Sequence, residues 1–182
     1  MSVVLLATSG VLVSNSGVAG EHSSQAADNA RSLQLLERPA PTEVVTIEGE
    51  SGSRGYVMVR SAASGTRTLR LAAGQSMNRD FRVSGGGRFV LTIRYSNDNF
   101  GPSEVLKVKL DGRPIGSFTA TDTGDYGHGW NQFATSPQLG PIDINDGSHT
   151  LTIDVVGGSN GIEIDFIQMK RTTGSSPTHQ SN

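Results

Sequence analysis

A strict period of two constrains this chain more than any other feature. Phe89, Leu91, Ile93 and Tyr95 alternate with Arg88, Val90, Thr92 and Arg94, and the pattern recurs at Leu106, Val108, Leu110, at Leu151, Ile153, Val155 and at Ile162, Ile164, Phe166. Only an extended strand sends neighbouring side chains to opposite faces, so each run predicts a strand with one apolar face. Asp111-Gly112 supplies two residues that accept positive φ, and 115–120 returns after them, which predicts an antiparallel hairpin. Shorter candidates at 44–50, 56–60, 68–71 and 80–83 are punctuated by Gly52, Gly55, Gly65 and Gly74. About nine short strands with no helical period predict an all-β, two-sheet antiparallel β-sandwich.

The strands fall within 43–170. Before them, 1–42 reads as a signal-like leader and linker. The apolar stretches 3–6 and 11–13 are interrupted by Thr8, Ser9 and Gly10, and Pro39 and Pro41 close the segment. The run is too short and polar to span a bilayer, and it lacks the basic residues that normally precede a secretory signal's apolar core. Export to the cell surface or medium is the expectation. After the strands, 171–182 is Ser, Thr, Gly and polar amide, a composition too poor in apolar groups to offset the entropy of ordering, so a flexible tail is expected.

Composition removes several chemistries. A net charge of -2 with interspersed signs offers no basic stripe for nucleic acid. With no cysteine, disulfides, thiolate metal sites and cysteine nucleophiles are absent together. No HExxH helix or P-loop occurs, and His22, His128, His149 and His179 are scattered, so the chain is read as a non-enzyme and, by default, a monomer.

Glu48 and Glu50 stand two apart in the first strand candidate, which sends both carboxylates to one side. Like charges so placed either reach solvent or share a cation, and hard oxygen donors suit Ca²⁺. A glycosidase pair is the third reading, but its carboxyls must face each other across a cleft, which neighbours on one strand do not easily do.

The ordered set of segments resembles the calcium-containing carbohydrate-binding modules of the family 6 and family 35 type, over 43–170. The set comprises Val45-Thr46-Ile47-Glu48-Gly49-Glu50, Phe81-Arg82-Val83 with the glycine turn and long strand ending in Arg94-Tyr95, Val108-Lys109-Leu110-Asp111-Gly112, the segment from Thr123-Gly124 through Trp130 and Phe133, and the closing pair Asp146-Gly147-Ser148-His149-Thr150-Leu151-Thr152-Ile153 and Gly161-Ile162-Glu163-Ile164-Asp165-Phe166-Ile167. The resemblance implies a galactose-binding-like jelly-roll that binds a polysaccharide or glycan. It also implies a structural calcium ion, with Asp165 of the last strand joining Glu48 and Glu50.

Sugar recognition needs an exposed ring against pyranose C–H groups, and aromatic residues are only 5% of the chain, so candidates are few. Trp130, the single tryptophan, lies in the glycine-rich run Asp125-Tyr126-Gly127-His128-Gly129-Trp130 and either faces solvent or closes one end of the core. By the resemblance Trp130 or Phe133 stacks on the sugar, Tyr56 provides a second platform, and Asn160 presents an amide. Glu163 stands where the relatives place that amide. Asn97, Asp98 and Asn99 read as a solvated turn. Two other readings stay open: an adhesion or envelope module that binds protein through the same fold, and an accessory fragment of a glycoside hydrolase.

Overall fold

The computed structural model describes residues 43–51, 56–98, 101–124 and 129–172, all within the unit Pro39–Asn182. The leader and linker up to 42, the loop 52–55, Asn99, the run 125–128 and the tail beyond 172 lie outside the described residues.

Among the described residues the chain forms eleven strands: β1 (Val44–Glu48), β2 (Tyr56–Val59), β3 (Arg67–Leu71), β4 (Ser76–Val83), β5 (Gly87–Ser96), β6 (Val105–Leu110), β7 (Arg113–Thr119), β8 (Ala134–Thr135), β9 (Leu139–Ile144), β10 (Gly147–Gly157) and β11 (Ile162–Arg171). Two single 3-10 turns, Ser64–Thr66 and Gly129–Asn131, are the other regular elements described. No helix among these residues is long and apolar enough to cross a membrane.

The strands form the two antiparallel sheets that the alternation predicts. One sheet runs β2-β3-β11-β5-β8, with β1 continuing the β3 edge of β11 and β9 the β8 edge of β5; the other runs β4-β10-β6-β7. Between them lie Phe89, Leu91 and Ile93 of β5, Leu106 and Val108 of β6, Leu151, Ile153 and Val155 of β10, and Ile162 and Ile164 of β11, nearly all fully buried. Each such side chain contributes about 1.5–3 kcal/mol through its removal from water.

The structure moves several expectations. β8 and β9 were not foreseen, because Pro137, Gly140 and Pro141 break the pattern there; β9 tolerates its proline because it lies on an edge of the sheet. β1 ends at Glu48, leaving Glu50 in the following turn rather than in the strand. β11 continues through Arg171, where a flexible tail was expected to begin. The Arg171 guanidinium donates to the carbonyls of Gly86 (2.7 Å) and Gly85 (2.6 Å), and its backbone N–H donates to Glu43 O, which fastens the strand end.

A bulge changes the last strand most. The register between β11 and β5 shifts between Ile164 and Phe166, so Asp165 is an extra residue. The inward phase passes from Ile162 and Ile164 to Ile167 and Met169, and Phe166, expected on the apolar face, leaves the core.

Candidate functional site

β1 runs beside β11, with Glu48 opposite Phe166, so the opening and closing strands bring acidic side chains together. Gly49 N–H donates to Asp165 O at 2.7 Å. The approach requires glycine: a Cβ on Gly49 would lie 2.3 Å from Ile164 O. The Ser64 hydroxyl donates to Glu48 Oε1 (3.1 Å), and its backbone N–H donates to Asp165 Oδ1 (2.9 Å). Arg94 pairs with the other Asp165 oxygen. Arg79, itself buried, donates to Gly49 O and lies near Glu50.

These carboxyls are held at a cost in charge. Burial raises the Glu48 pKa, the Ser64 hydroxyl offsets part of the rise, and Glu50 and Asp165 add to it. Burial likewise raises Asp165, against the opposing pull of Arg94. Glu48 Oε2 and Glu50 Oε2 are buried without a hydrogen-bond partner. Two orphaned, electron-rich oxygens fit a hard cation, whereas Asp165 already has donors on both of its oxygens. Among the described residues, no three His, Cys, Asp or Glu side chains converge as a metal cluster.

The second group of predicted residues gathers on the outward face of the larger sheet. Tyr56 of β2 is directly opposite Arg70 of β3, which is directly opposite Glu163 of β11. Opposed residues carry their Cβ atoms about 5 Å apart on one face, so the three form a row. Tyr56 is 75% exposed. Trp130, in the turn Gly129–Asn131, is half-buried, with the Arg70 guanidinium 4.2 Å and the Arg60 guanidinium 5.9 Å from its ring centre. Arg70 Nη2 donates to Asn160 O at 2.7 Å, which brings the β10–β11 loop to the same place.

Glu163 is the covered end of this row. Its side chain is fully buried and accepts from Arg60 Nε (2.7 Å), Arg60 Nη2 (2.5 Å) and the Thr68 hydroxyl (2.8 Å). It holds Arg60 beside Trp130 and ties in the Thr68 hydroxyl. Phe133 is half-buried, with the Arg94 guanidinium 4.3 Å from its ring centre, so it belongs with Arg94 and Asp165 rather than with Tyr56. The Asn160 amide nitrogen donates to Asp98 O (2.9 Å), so that amide is engaged within the protein.

Arg60, Arg70 and Arg94 were not foreseen as site residues because an outward charge on a strand looks like a solvated one, and Arg79 was not because it stands on the inward phase of β4 with Met77 and Val83. Glu104 was not foreseen either. This carboxylate is fully buried, and its Oε1 accepts the backbone N–H groups of Asn160 (3.0 Å) and Gly161 (2.8 Å), fixing the loop that carries Asn160. Asn97 and Asp98, expected in a solvated turn, are buried. Thr123 closes over them, its backbone N–H donating to Asn97 O (2.8 Å), and its hydroxyl accepting from Asn97 N–H (2.9 Å).

No protein-family model matches the chain, and no curated protein matches its sequence. Solved structures do. A family 35 carbohydrate binding module from Clostridium thermocellum aligns with a TM-score of 0.56 at 16% identity, over 69% of this chain and 98% of the module. The fold is the one these modules share. A family 6 module from Cellvibrio mixtus lichenase 5A, described in complex with cellotriose, aligns with a TM-score of 0.55 at 19% identity, over 72% of this chain and 99% of that one. The catalytic unit of a GH87 alpha-1,3-glucanase from Streptomyces thermodiastaticus aligns with a TM-score of 0.56 at 22% identity. There the chain spans 76% of its own length but only 28% of the hydrolase.

Proposed function

We propose that 43–172 is a non-catalytic glycan-binding module whose sugar site is the outward face around Tyr56, Arg70, Trp130 and the Asn160 loop. The observation that carries this reading is the exposed Tyr56 ring aligned in register with a guanidinium that lies over a half-buried tryptophan. Exposed tyrosine offers an apolar face to sugar C–H groups, and arginine offers several N–H donors to hydroxyls in a fixed geometry. Tyrosine, tryptophan and arginine also serve protein interfaces, so the choice between glycan and adhesion falls to the glycan array. The reading goes with export.

The test is a polysaccharide pull-down and glycan array with the full chain and a Tyr56→Ala variant. Loss of the stack should weaken binding up to about tenfold, the worth of one aromatic contact, while leaving the melting temperature nearly unchanged. If the wild type retains no glycan, the reading fails and the adhesion alternative replaces it.

The same reading takes the acidic corner as a calcium position. Glu48 and Glu50 supply the free oxygens, and Asp165 stands beside them in its pair with Arg94. When bound, the ion offsets the mutual repulsion that burial enforces. Calcium at a hundred times its dissociation constant stabilises by about 2.7 kcal/mol. Chelation should therefore lower the melting temperature by several degrees, and Glu48→Gln should abolish the calcium response. A melt indifferent to both leaves the corner metal-free.

A further inference from the structure

We infer that β2 is a self-association edge: two copies of this chain pair β2 against β2, antiparallel about a two-fold axis, and carry the larger sheet from one molecule into the next.

An open strand edge offers unpaired N–H and C=O groups to any other chain, and folds guard such edges with prolines, inward charges or shortness. Among the described residues the other edges carry such guards. β7 has Pro114, β9 has Pro141, and β8 is two residues long. β4 points the charged Arg79 inward, and β1 ends on Glu48. β2 reads Tyr56-Val57-Met58-Val59 and has none of these. The charge that follows it, Arg60, is turned away to Glu163.

The apolar side chains of this edge are uncovered as well. Val57 lies opposite Leu69, a core residue 1% exposed, so Val57 and Val59, two further on, stand on the core-facing side of the sheet. They are nevertheless 39% and 75% exposed, because the core layer stops short of this edge. Side chains on the core phase with no layer over them are what a second copy would cover.

Backbone and side chains together select one register. Arg60 N–H donates to Thr66 O, so by alternation Met58 and Tyr56 also turn their polar groups to β3, while Val57 and Val59 turn theirs outward. A two-fold axis through Met58 sets Val57 opposite Val59 of the second copy, and Val59 opposite its Val57. Each pair then exchanges both of its N–H···O bonds, and the uncovered valines of the two copies meet on one face. On the other face Tyr56 meets Arg60 of the second copy, a ring beside a guanidinium, and no like charges are opposed. An axis through Val57 would instead set Val59 opposite Gly55, and one through Val59 would set Val57 opposite Ser61.

Area limits the strength of this pairing. One short strand a side falls below the roughly 800 Å² per partner of a standard interface, so the dimer is a weak one that forms as concentration rises. The axis stands perpendicular to the sheet, so both outward faces look the same way. On the glycan reading a polysaccharide then meets two sites at once, though the association itself does not rest on that reading.

Sedimentation equilibrium of the full chain over a wide concentration range should show the average mass rising toward twice that of one chain. Val59→Lys, a guard placed twice in each dimer, should weaken association by at least about tenfold. Val59 is 75% exposed, so a thermal melt of the variant at low concentration should match the wild type. Register is read by disulfide trapping, which a chain with no cysteine of its own makes clean. Met58→Cys sets its two copies directly opposite, with Cα atoms about 4.5 Å apart and within disulfide reach. Val57→Cys leaves its two copies out of register, with Cα atoms about 8 Å apart, which a disulfide does not span. In a glutathione buffer Met58→Cys should therefore cross-link at least about tenfold faster than Val57→Cys. A chain that stays monomeric at every concentration, a Val59→Lys variant that associates as the wild type does, or equal cross-linking of the two cysteine variants overturns the inference. Each of these outcomes leaves the glycan reading to the array.

Discussion

Replacing Glu163 by glutamine tests whether the binding face rests on a rigid buried support. The carboxylate is fully buried and accepts three hydrogen bonds, two from Arg60 and one from Thr68, while the Arg60 side chain keeps 20% exposure. Glutamine is isosteric but supplies one acceptor oxygen where two are used, and its NH₂ must face a donor. Removing one partner of a buried ion pair costs about 3–5 kcal/mol. Arg60 can recover some hydration through its exposed edge, which argues for the low end, about 3 kcal/mol. In a domain of this size that lowers the melting temperature by on the order of 10 °C. Urea unfolding followed through the single tryptophan, Trp130, measures it directly, since the Arg60 guanidinium lies 5.9 Å from that ring. The midpoint should fall with an unchanged slope. Replacing both partners by apolar residues, Arg60→Met with Glu163→Leu, should recover most of the loss, because no unpaired charge remains buried. A loss below about 1 kcal/mol in Glu163→Gln would mean that the pair is effectively solvated, and the face would then lack the support argued for it.

Two further outcomes follow from the same coordinates. Gly49→Ala places a Cβ 2.3 Å from Ile164 O, a backbone atom that cannot turn aside, and should cost at least about 1–3 kcal/mol in thermal unfolding; a neutral result would deny the close approach of β1 to the bulge. Protonated His149 donates from Nδ1 to Asp111 Oδ2 (2.8 Å) and from Nε2 to Asn145 O (3.0 Å). Burial lowers its pKa, but Asp111 and Asn145 outweigh that and hold it above the ordinary 6.5, while the His149 contact holds Asp111 below 3.8. The histidine's contribution is therefore complete below pH 6.5 and fades as pH rises through the elevated folded value. The aspartate's is complete above pH 3.8 and fades as pH falls through the depressed one. Stability from this pair should peak between those limits, and His149→Gln should flatten the profile there; an unchanged profile would refute the pairing.

How much of this was legible depended on where the information lies. Within one strand, alternation suffices, and β5, β6, β10 and the first half of β11 follow it closely. The hairpin at Asp111-Gly112 needs only local turn chemistry, and Asp111 does adopt positive φ (49°). The platform needs register between strands far apart in sequence. Tyr56, Trp130 and Asn160 were chosen by resemblance, and the structure does bring their surroundings together, but through Arg70, whose place between Tyr56 and Glu163 is a property of β2-β3-β11 pairing that no single segment contains. Burial of Asn97, Asp98 and Glu104 was hidden for the same reason, because polar residues at a loop become interior only when a distant segment, here Thr123 and the glycine loop at Asn160, folds over them.

The bulge at Asp165 shows how one extra residue in the strand ties the acidic corner to the face around Trp130. An uninterrupted alternation would have carried Phe166 into the core and Ile167 and Met169 out of it; with the extra residue, the strand buries Ile167 and Met169 and places Asp165 where Ser64 and Arg94 reach it. Glu163 lies two residues earlier on the same strand. The segment 60–66 spans the gap between them. Arg60 is pinned by Glu163, Asn131 beside Trp130 accepts from Ala62 N–H (3.0 Å) and donates to the Ser61 hydroxyl (2.9 Å), and Ser64 donates to both Glu48 and Asp165. A chain so short, fixed at both ends by buried carboxylates, cannot relax at one end without moving the other. If the corner takes calcium as proposed, adding the ion and then chelating it should alter Trp130 emission as well as the melting temperature, and a calcium-dependent melt with a silent tryptophan would show the two centres to be independent.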